Sequence, residues 1–287
     1  NVENVNPKFV HRIAVASWIL GGATLLGISS ATNNLSAFAG TLWAVVAWII
    51  WIAVVFCIAV PSPIGLVIIR TISPLAFFAS LATFLSGDDT AVLAVGFAAI
   101  AVSTAVVFSG EFGHACVNAS AYGNEIRFVL RPPVELLLPA LLGWCLIAAP
   151  VVVSAVAAAA KSWTVFAVSL PVAVLLTILM PLRLAKLTTR WLVIVPAGLV
   201  IHDKVVLAET IMFRTRDITD LHLAAPDTEA ADLTGVTWGV PVQIAVKGGD
   251  KIILAPTSEH PQGRALHVYS MLVAPSRPGL FLSSWDR

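Results

Sequence analysis

The chain has 287 residues, 58% of them hydrophobic and 11% charged, with a formal net charge of +1 and a mean hydropathy of +0.91. This composition excludes an ordinary soluble domain, and the near-neutral charge excludes the basic footprint of a nucleic-acid binder; the class it fits is a polytopic membrane protein. Ten of the sixteen acidic residues follow Arg190, so a part suited to lipid precedes a slightly acidic part suited to water.

Six apolar runs, near 13–31, 37–60, 64–86, 91–109, 134–158 and 164–182, are long enough to cross a hydrocarbon core of roughly 30 Å as helices. The first lacks a small-residue cleavage site and reads as a retained helix. Short breaks separate most runs: Thr32-Asn33-Asn34, Pro61-Ser62-Pro63, Gly87-Asp88-Asp89 and Lys161-Ser162-Trp163. Lys8, Arg12, Arg127, Arg131, Arg183, Lys186 and Arg190 all fall on one side of a six-helix arrangement, which places both termini in the cytoplasm by the excess of basic residues there. Abundant Ala and Val with sparse Lys suggests a bacterial source, hence the bacterial plasma (inner) membrane.

Within the apolar runs, Arg70 is the one strongly charged residue well inside a helix. Such a charge either contacts a lipid phosphate or an acidic group, with Glu135 the nearest candidate partner, or snorkels to the headgroups about 9 Å away along the helix. Gly21, Gly22, Gly27 and Gly96 favour close helix packing. Trp43, Trp48 and Trp51 share a helix and suit packing or lipid contact better than a ring-bearing cofactor. Asp88 and Asp89 are weak candidates for a metal-chelated phosphate and better candidates for a helix cap. Glu111, His114 and Cys116 lie close in sequence within the longest loop, 110–133, but lack the further ligand that a metal site needs. Cys57, Cys116 and Cys145 form no CxxC pair, and neither a disulfide framework nor any cofactor is expected. Arg127, Arg131, Arg183, Lys186 and Arg190 are expected at the membrane surface against anionic headgroups; three of them recur at helical spacing in 183–190.

After Arg190 the apolar runs become short and β-branched. Trp191–Val195 and Leu199–His202 read as a hairpin around Pro196-Ala197-Gly198, followed by strands at 209–213, 218–223, 240–246 and 251–255. Lys247-Gly248-Gly249-Asp250 reads as a hairpin turn between the last two. Ala265, Leu266, Tyr269 and Leu272 have a helical period, so 261–274 is expected to be a helix stopped by Pro275. The tail 276–287 shows no period. The expected domains are a transmembrane region over 1–190, a small mainly-β region over 191–275, and the tail.

The segment from Trp191 to Asp203, with the strands near Ile218 and Ile252 and a terminal helix, resembles the bacterial pleckstrin-homology-like (PH-like) domains found beside transmembrane helices. The resemblance covers about residues 190–275 and implies a β-barrel capped by a helix, with a role in binding or assembly and no catalytic residues. The expected function is a non-catalytic accessory or scaffold protein, more an interaction partner of other membrane subunits and of anionic lipid than an enzyme. The alternative is a small transporter or lipid-handling protein that uses Arg70 and the prolines at 74, 139, 150 and 171. The expected topology is checked by engineered cysteines: positions 33 and 88 should label from outside, and 122 and 230 only after permeabilisation. Labelling of position 230 in intact cells would overturn it.

Overall fold

The computed structural model describes residues 7–28, 32, 36–86, 90–256 and 260–286. These form two compact units, Val5–Cys116 with Leu141–Leu184, and Val117–Ala140 with Ala185–Arg287. The division expected at 190 is therefore replaced by one in which a stretch between two apolar helices joins the C-terminal unit.

The helical unit holds α1 (Pro7–Gly21), continued by a 3-10 turn over Gly22–Gly27, then α2 (Ala37–Ala59), α3 (Pro63–Ser86), α4 (Thr90–Val107) and most of α5 (Gly110–Asn118), α6 (Leu137–Ala159) and α7 (Trp163–Thr188). Long runs of Ala, Leu and Val form helices here because each backbone group finds its partner within the segment. Buried hydroxyls follow the same rule: Ser73 Oγ donates to Ile69 O at 2.7 Å and Thr71 Oγ1 to Val67 O at 2.8 Å. At Gly96 a Cβ would lie 2.8 Å from the backbone nitrogen of Thr24, so α4 approaches the 3-10 turn backbone to backbone. Trp18 Nε1 donates to Trp51 O and Trp51 Nε1 to Trp18 O, at 3.3 and 3.1 Å, locking α1 to α2 and using both indole donors.

Among the described residues five helices are long and apolar enough to cross a membrane, and there is a sixth crossing if α4 and α5, bent by 67° to each other, are one broken span. Leu138, Leu142, Leu146, Val153 and Val156 of α6 and Val168, Val174, Leu175, Ile178 and Leu182 of α7 are exposed. Each such side chain left in water forgoes about 1.5–3 kcal/mol, so this surface fits a protein associated with a membrane.

The second unit contains β1 (Ile126–Val129), β2 (Arg190–Val195), β3 (Gly198–Asp203), β4 (Ile211–Arg214), β5 (Ile218–Leu223), β6 (Ala231–Asp232), β7 (Val242–Leu254), β8 (Arg264–Val273) and α8 (Pro278–Trp285). One sheet has the order β1-β2-β3-β4 and the other β5-β7-β8-β6. The inner faces supply a common core that includes Phe128, Leu192, Ile201, Phe213, Ile244 and Met271.

Three expectations are corrected. The segment 261–274 is not a helix: Arg264–Val273 is β8, antiparallel to β7. Its inward side chains pass from Leu266 and Val268 to Met271 and Val273, and this change of parity imitates a helical period. Gly248 and Gly249 are not a hairpin turn but a bulge within the continuous β7, where the register shifts between Ala245 and Asp250. The tail is helical, and its Phe281 is buried edge-on against Phe128 with ring centres 5.3 Å apart.

Arg190, expected at the membrane surface, is 1% exposed. Its Nε and Nη2 donate to Asp203 Oδ2 at 2.9 and 2.7 Å, Nη1 donates to Arg131 O at 2.7 Å, and Nη2 also reaches Thr234 O at 3.4 Å. Asp203 Oδ1 accepts from the backbone nitrogens of Val205 and Val206. Truncating one partner strands the other charge in the interior. Asp203→Ala should therefore destabilise the β-unit by about 3–5 kcal/mol, read as a lowered denaturant midpoint of the whole protein in detergent, whereas Arg216→Ala, in the exposed pair with Asp217, should leave the midpoint nearly unchanged. Equal midpoints for the two variants would refute the structural role of the buried pair.

Candidate functional site

Burial sorts the cations singled out in the sequence. Arg70, on α3, donates from Nε to Val107 O at 3.1 Å and from Nη2 to Ser109 O at 3.3 Å, and its guanidinium carbon stands 5.7 Å from the centre of the Phe108 ring. Those carbonyls lie where α4 ends and the chain bends into α5, where a cation is favoured by the helix C-terminus; Ser109 O also accepts from Gly113 N at 3.3 Å. Gly113 leaves room for the guanidinium, since a Cβ there would lie 3.2 Å from Nη2. Arg70 thus takes carbonyls as partners rather than a carboxylate. Glu135 is exposed in the 3-10 turn Val134–Leu136 and makes no ion pair among the described residues.

Arg183 and Lys186 are exposed along the last turns of α7. Asp88 and Asp89 lie outside the described residues, as do Asn33 and Asn34. Among the described residues no group of three His, Cys, Asp or Glu side chains is gathered to hold a metal, and this includes Glu111, His114 and Cys116.

Arg127 anchors the arrangement with the most chemistry. On β1 its Nη2 pairs with Glu125 Oε1, its Nη1 donates to Ser120 Oγ at 3.0 Å, and its guanidinium carbon lies 5.0 Å from the centre of the Trp191 ring. Trp191 pairs in register with His202 on β3, their rings 5.5 Å apart, and His202 Nδ1 lies 2.7 Å from Thr210 Oγ1. Cation, indole and imidazole thus form a row across the outer face of the first sheet, because alternate residues of neighbouring strands share a face. Trp191 Nε1 also donates to Thr188 O at 2.8 Å, so the row begins where α7 ends. Asn118 secures the edge: its amide nitrogen donates to Arg127 O and its oxygen accepts from Arg127 N, as a further strand would.

The electrostatics follow from this placement. The backbone nitrogen of Tyr122, with Arg127, holds the Glu125 carboxyl below its usual range. Burial, with the like charges of Lys204 and Arg127, holds the His202 imidazole below the ordinary histidine value, against the opposing pull of Asp203. The row therefore offers one compensated cation and flat π faces. It suits an anionic or polar headgroup. Beside it the Thr210 hydroxyl lies within hydrogen-bond reach of the His202 imidazole.

No protein-family model, curated protein or solved structure matches the chain.

The sequence reading missed Trp191 and His202 as a pair, although the signal was present: a two-residue turn at Pro196-Ala197 places 191 opposite 202. For His202, the folded imidazole binds its proton more weakly than the unfolded one. Its contribution to stability is therefore complete above about pH 6.5 and is lost as the pH falls through the folded value. An NMR titration should place His202 below about 6.5, and His202→Gln should remove that part of the acid-side loss; a titration at or above the ordinary value would contradict the electrostatic account.

Proposed function

We propose that the protein is a non-catalytic membrane accessory or scaffold subunit that fixes a β-sheet binding module at the membrane and packs against other membrane subunits. One observation carries this reading. Helices α6 and α7 expose most of their apolar flanks. Long apolar flanks that the chain itself does not cover are what a helix of another subunit, or lipid, would contact.

Two four-stranded sheets closed by a C-terminal helix support the PH-like reading of the β-unit, with β1 contributed from between two helices. The basic residues support a bacterial plasma-membrane protein with six crossings and cytoplasmic termini, α4 and α5 together making the fourth. Arg127, Arg183 and Lys186 would face anionic headgroups. The alternative, a small transporter or lipid-handling protein, would require Arg70 to leave the carbonyls of Val107 and Ser109.

Photocrosslinking residues placed at 146 on α6 and 174 on α7, in native membranes, test the accessory reading. Discrete protein adducts at one or both positions are expected. Lipid adducts alone at both would overturn that reading in favour of lipid handling.

A further inference from the structure

The connection from β6 to β7, Leu233-Thr-Gly-Val-Thr-Trp-Gly-Val-Pro241, carries no charge, although the segment just before it holds Asp227, Glu229 and Asp232. Three of its apolar side chains, Val236, Trp238 and Val240, are each more than half exposed. A water-facing loop of this kind would ordinarily be polar. Its backbone is held firmly: Thr234 N donates to Asp232 Oδ1 at 2.7 Å, Val134 N donates to Val236 O at 3.0 Å, and Arg131 Nη1 donates to Trp238 O at 2.8 Å.

Two further features show that this shape is specified. Val236 has a φ of 57°, a conformation in which a β-branched residue persists only when its surroundings enforce it. Gly239, at φ 82°, leaves the space occupied by Arg131, since a Cβ there would lie 2.6 Å from Nη1. The chain thus spends strain and a guanidinium on presenting exposed valines and a tryptophan.

The position of the loop names the occupant. Val134, which binds the carbonyl of Val236, is the first residue of the apolar span Val134–Ala159. Val134, Leu137 and Leu138, at the start of that span, are themselves exposed. The loop therefore adds its apolar side chains at the level where α6 begins its apolar course, with the cation of Arg131 alongside. Tryptophan with flanking aliphatic residues and an adjacent arginine is the chemistry of the bilayer interface, where the indole ring is buried and its N–H is wet.

We propose that the 234–240 loop is a membrane-inserting wedge: Val236, Trp238 and Val240 enter the interfacial layer of the bilayer that α6 crosses and so fix the height of the β-unit. The proposal rests on the membrane reading of the apolar helices, and its test separates the two.

The full chain, with its three native cysteines replaced by alanine, is reconstituted into vesicles of phosphatidylethanolamine and phosphatidylglycerol. It carries a single nitroxide label at 240, at 146 within α6, or at 229 in the acidic segment. Accessibility to oxygen and to a water-soluble nickel chelate is then compared. The label at 146 should be oxygen-accessible and shielded from nickel, and that at 229 the reverse. The label at 240 should show oxygen access with nickel access several-fold below that of 229. If 240 matches 229 while 146 lies in lipid, the wedge is wrong and the membrane reading stands. If 240 is shielded from both reagents, protein covers the loop and the wedge is equally wrong. If 146 is open to nickel, the membrane reading itself falls.

Discussion

The β-unit depends on one buried ion pair. Arg190 is the second residue beyond the end of α7, and its side chain touches three separated stretches of chain: Asp203 on β3, the carbonyl of Arg131 just after β1, and the carbonyl of Thr234 at the start of the β6–β7 connection. Its own carbonyl accepts from Leu130 N, so the strand drawn from between α5 and α6 is tied to the same residue. A buried pair of this kind is a weak source of net stability, because desolvating two charges offsets much of their attraction. Its contribution is specification. With five donors in a rigid fork, an arginine can satisfy a carboxylate and two carbonyls only if all three stretches are in place.

The helical unit meets a similar problem differently. Where α4 breaks, a backbone carbonyl left unpaired among apolar side chains is a costly arrangement in a low dielectric. Arg70 reaches across from α3 to donate to Val107 O and to share Ser109 O with Gly113 N. A break that depends on a side chain from a neighbouring helix can exist only in the packed unit. This charge therefore acts on the chain itself, as a cap. Trp144 behaves alike, donating from Nε1 on α6 to Thr71 O on α3, within one turn of Pro74, which cannot donate to the helix.

How much was legible in the sequence follows from these cases. The apolar runs were readable because twenty consecutive apolar residues have few other uses. The helical spacing of Arg183 and Lys186 also extended α7 past its apolar run, and the helix does continue to Thr188. The β2–β3 hairpin was readable from its short turn, and its register already puts Arg190 opposite Asp203 and Trp191 opposite His202. The surface role expected of Arg190 came from reading 183–190 as one helical face. The partner that buries the arginine lies thirteen residues on, across a strand pair, where helical spacing carries no information. The strand β8 was hidden for a related reason. A bulge changes which face is buried halfway along, and period-2 alternation interrupted in this way matches a helix over a short window. The contribution of β1 was beyond any local pattern, since four residues between helices become a strand only by pairing with β2.

Arg131 links the buried pair to the rim of the β-unit. Its carbonyl accepts from Arg190, its backbone nitrogen donates to Ala274 O, and its guanidinium holds the carbonyl of Trp238. One residue therefore connects the ion pair, the end of β8 and the exposed apolar loop, three positions before the apolar course of α6 begins at Val134. Burial also holds its guanidinium below the ordinary arginine range, though far too little to remove the charge at any physiological pH. The consequence is mechanical. The loop cannot rise or fall relative to the root of α6 without breaking the Val134–Val236 and Arg131–Trp238 hydrogen bonds together, and the root of α7 is fixed to the same point through Arg190. Arg131 therefore ties three backbone segments of the β-unit, at Arg190, Ala274 and Trp238, to one residue.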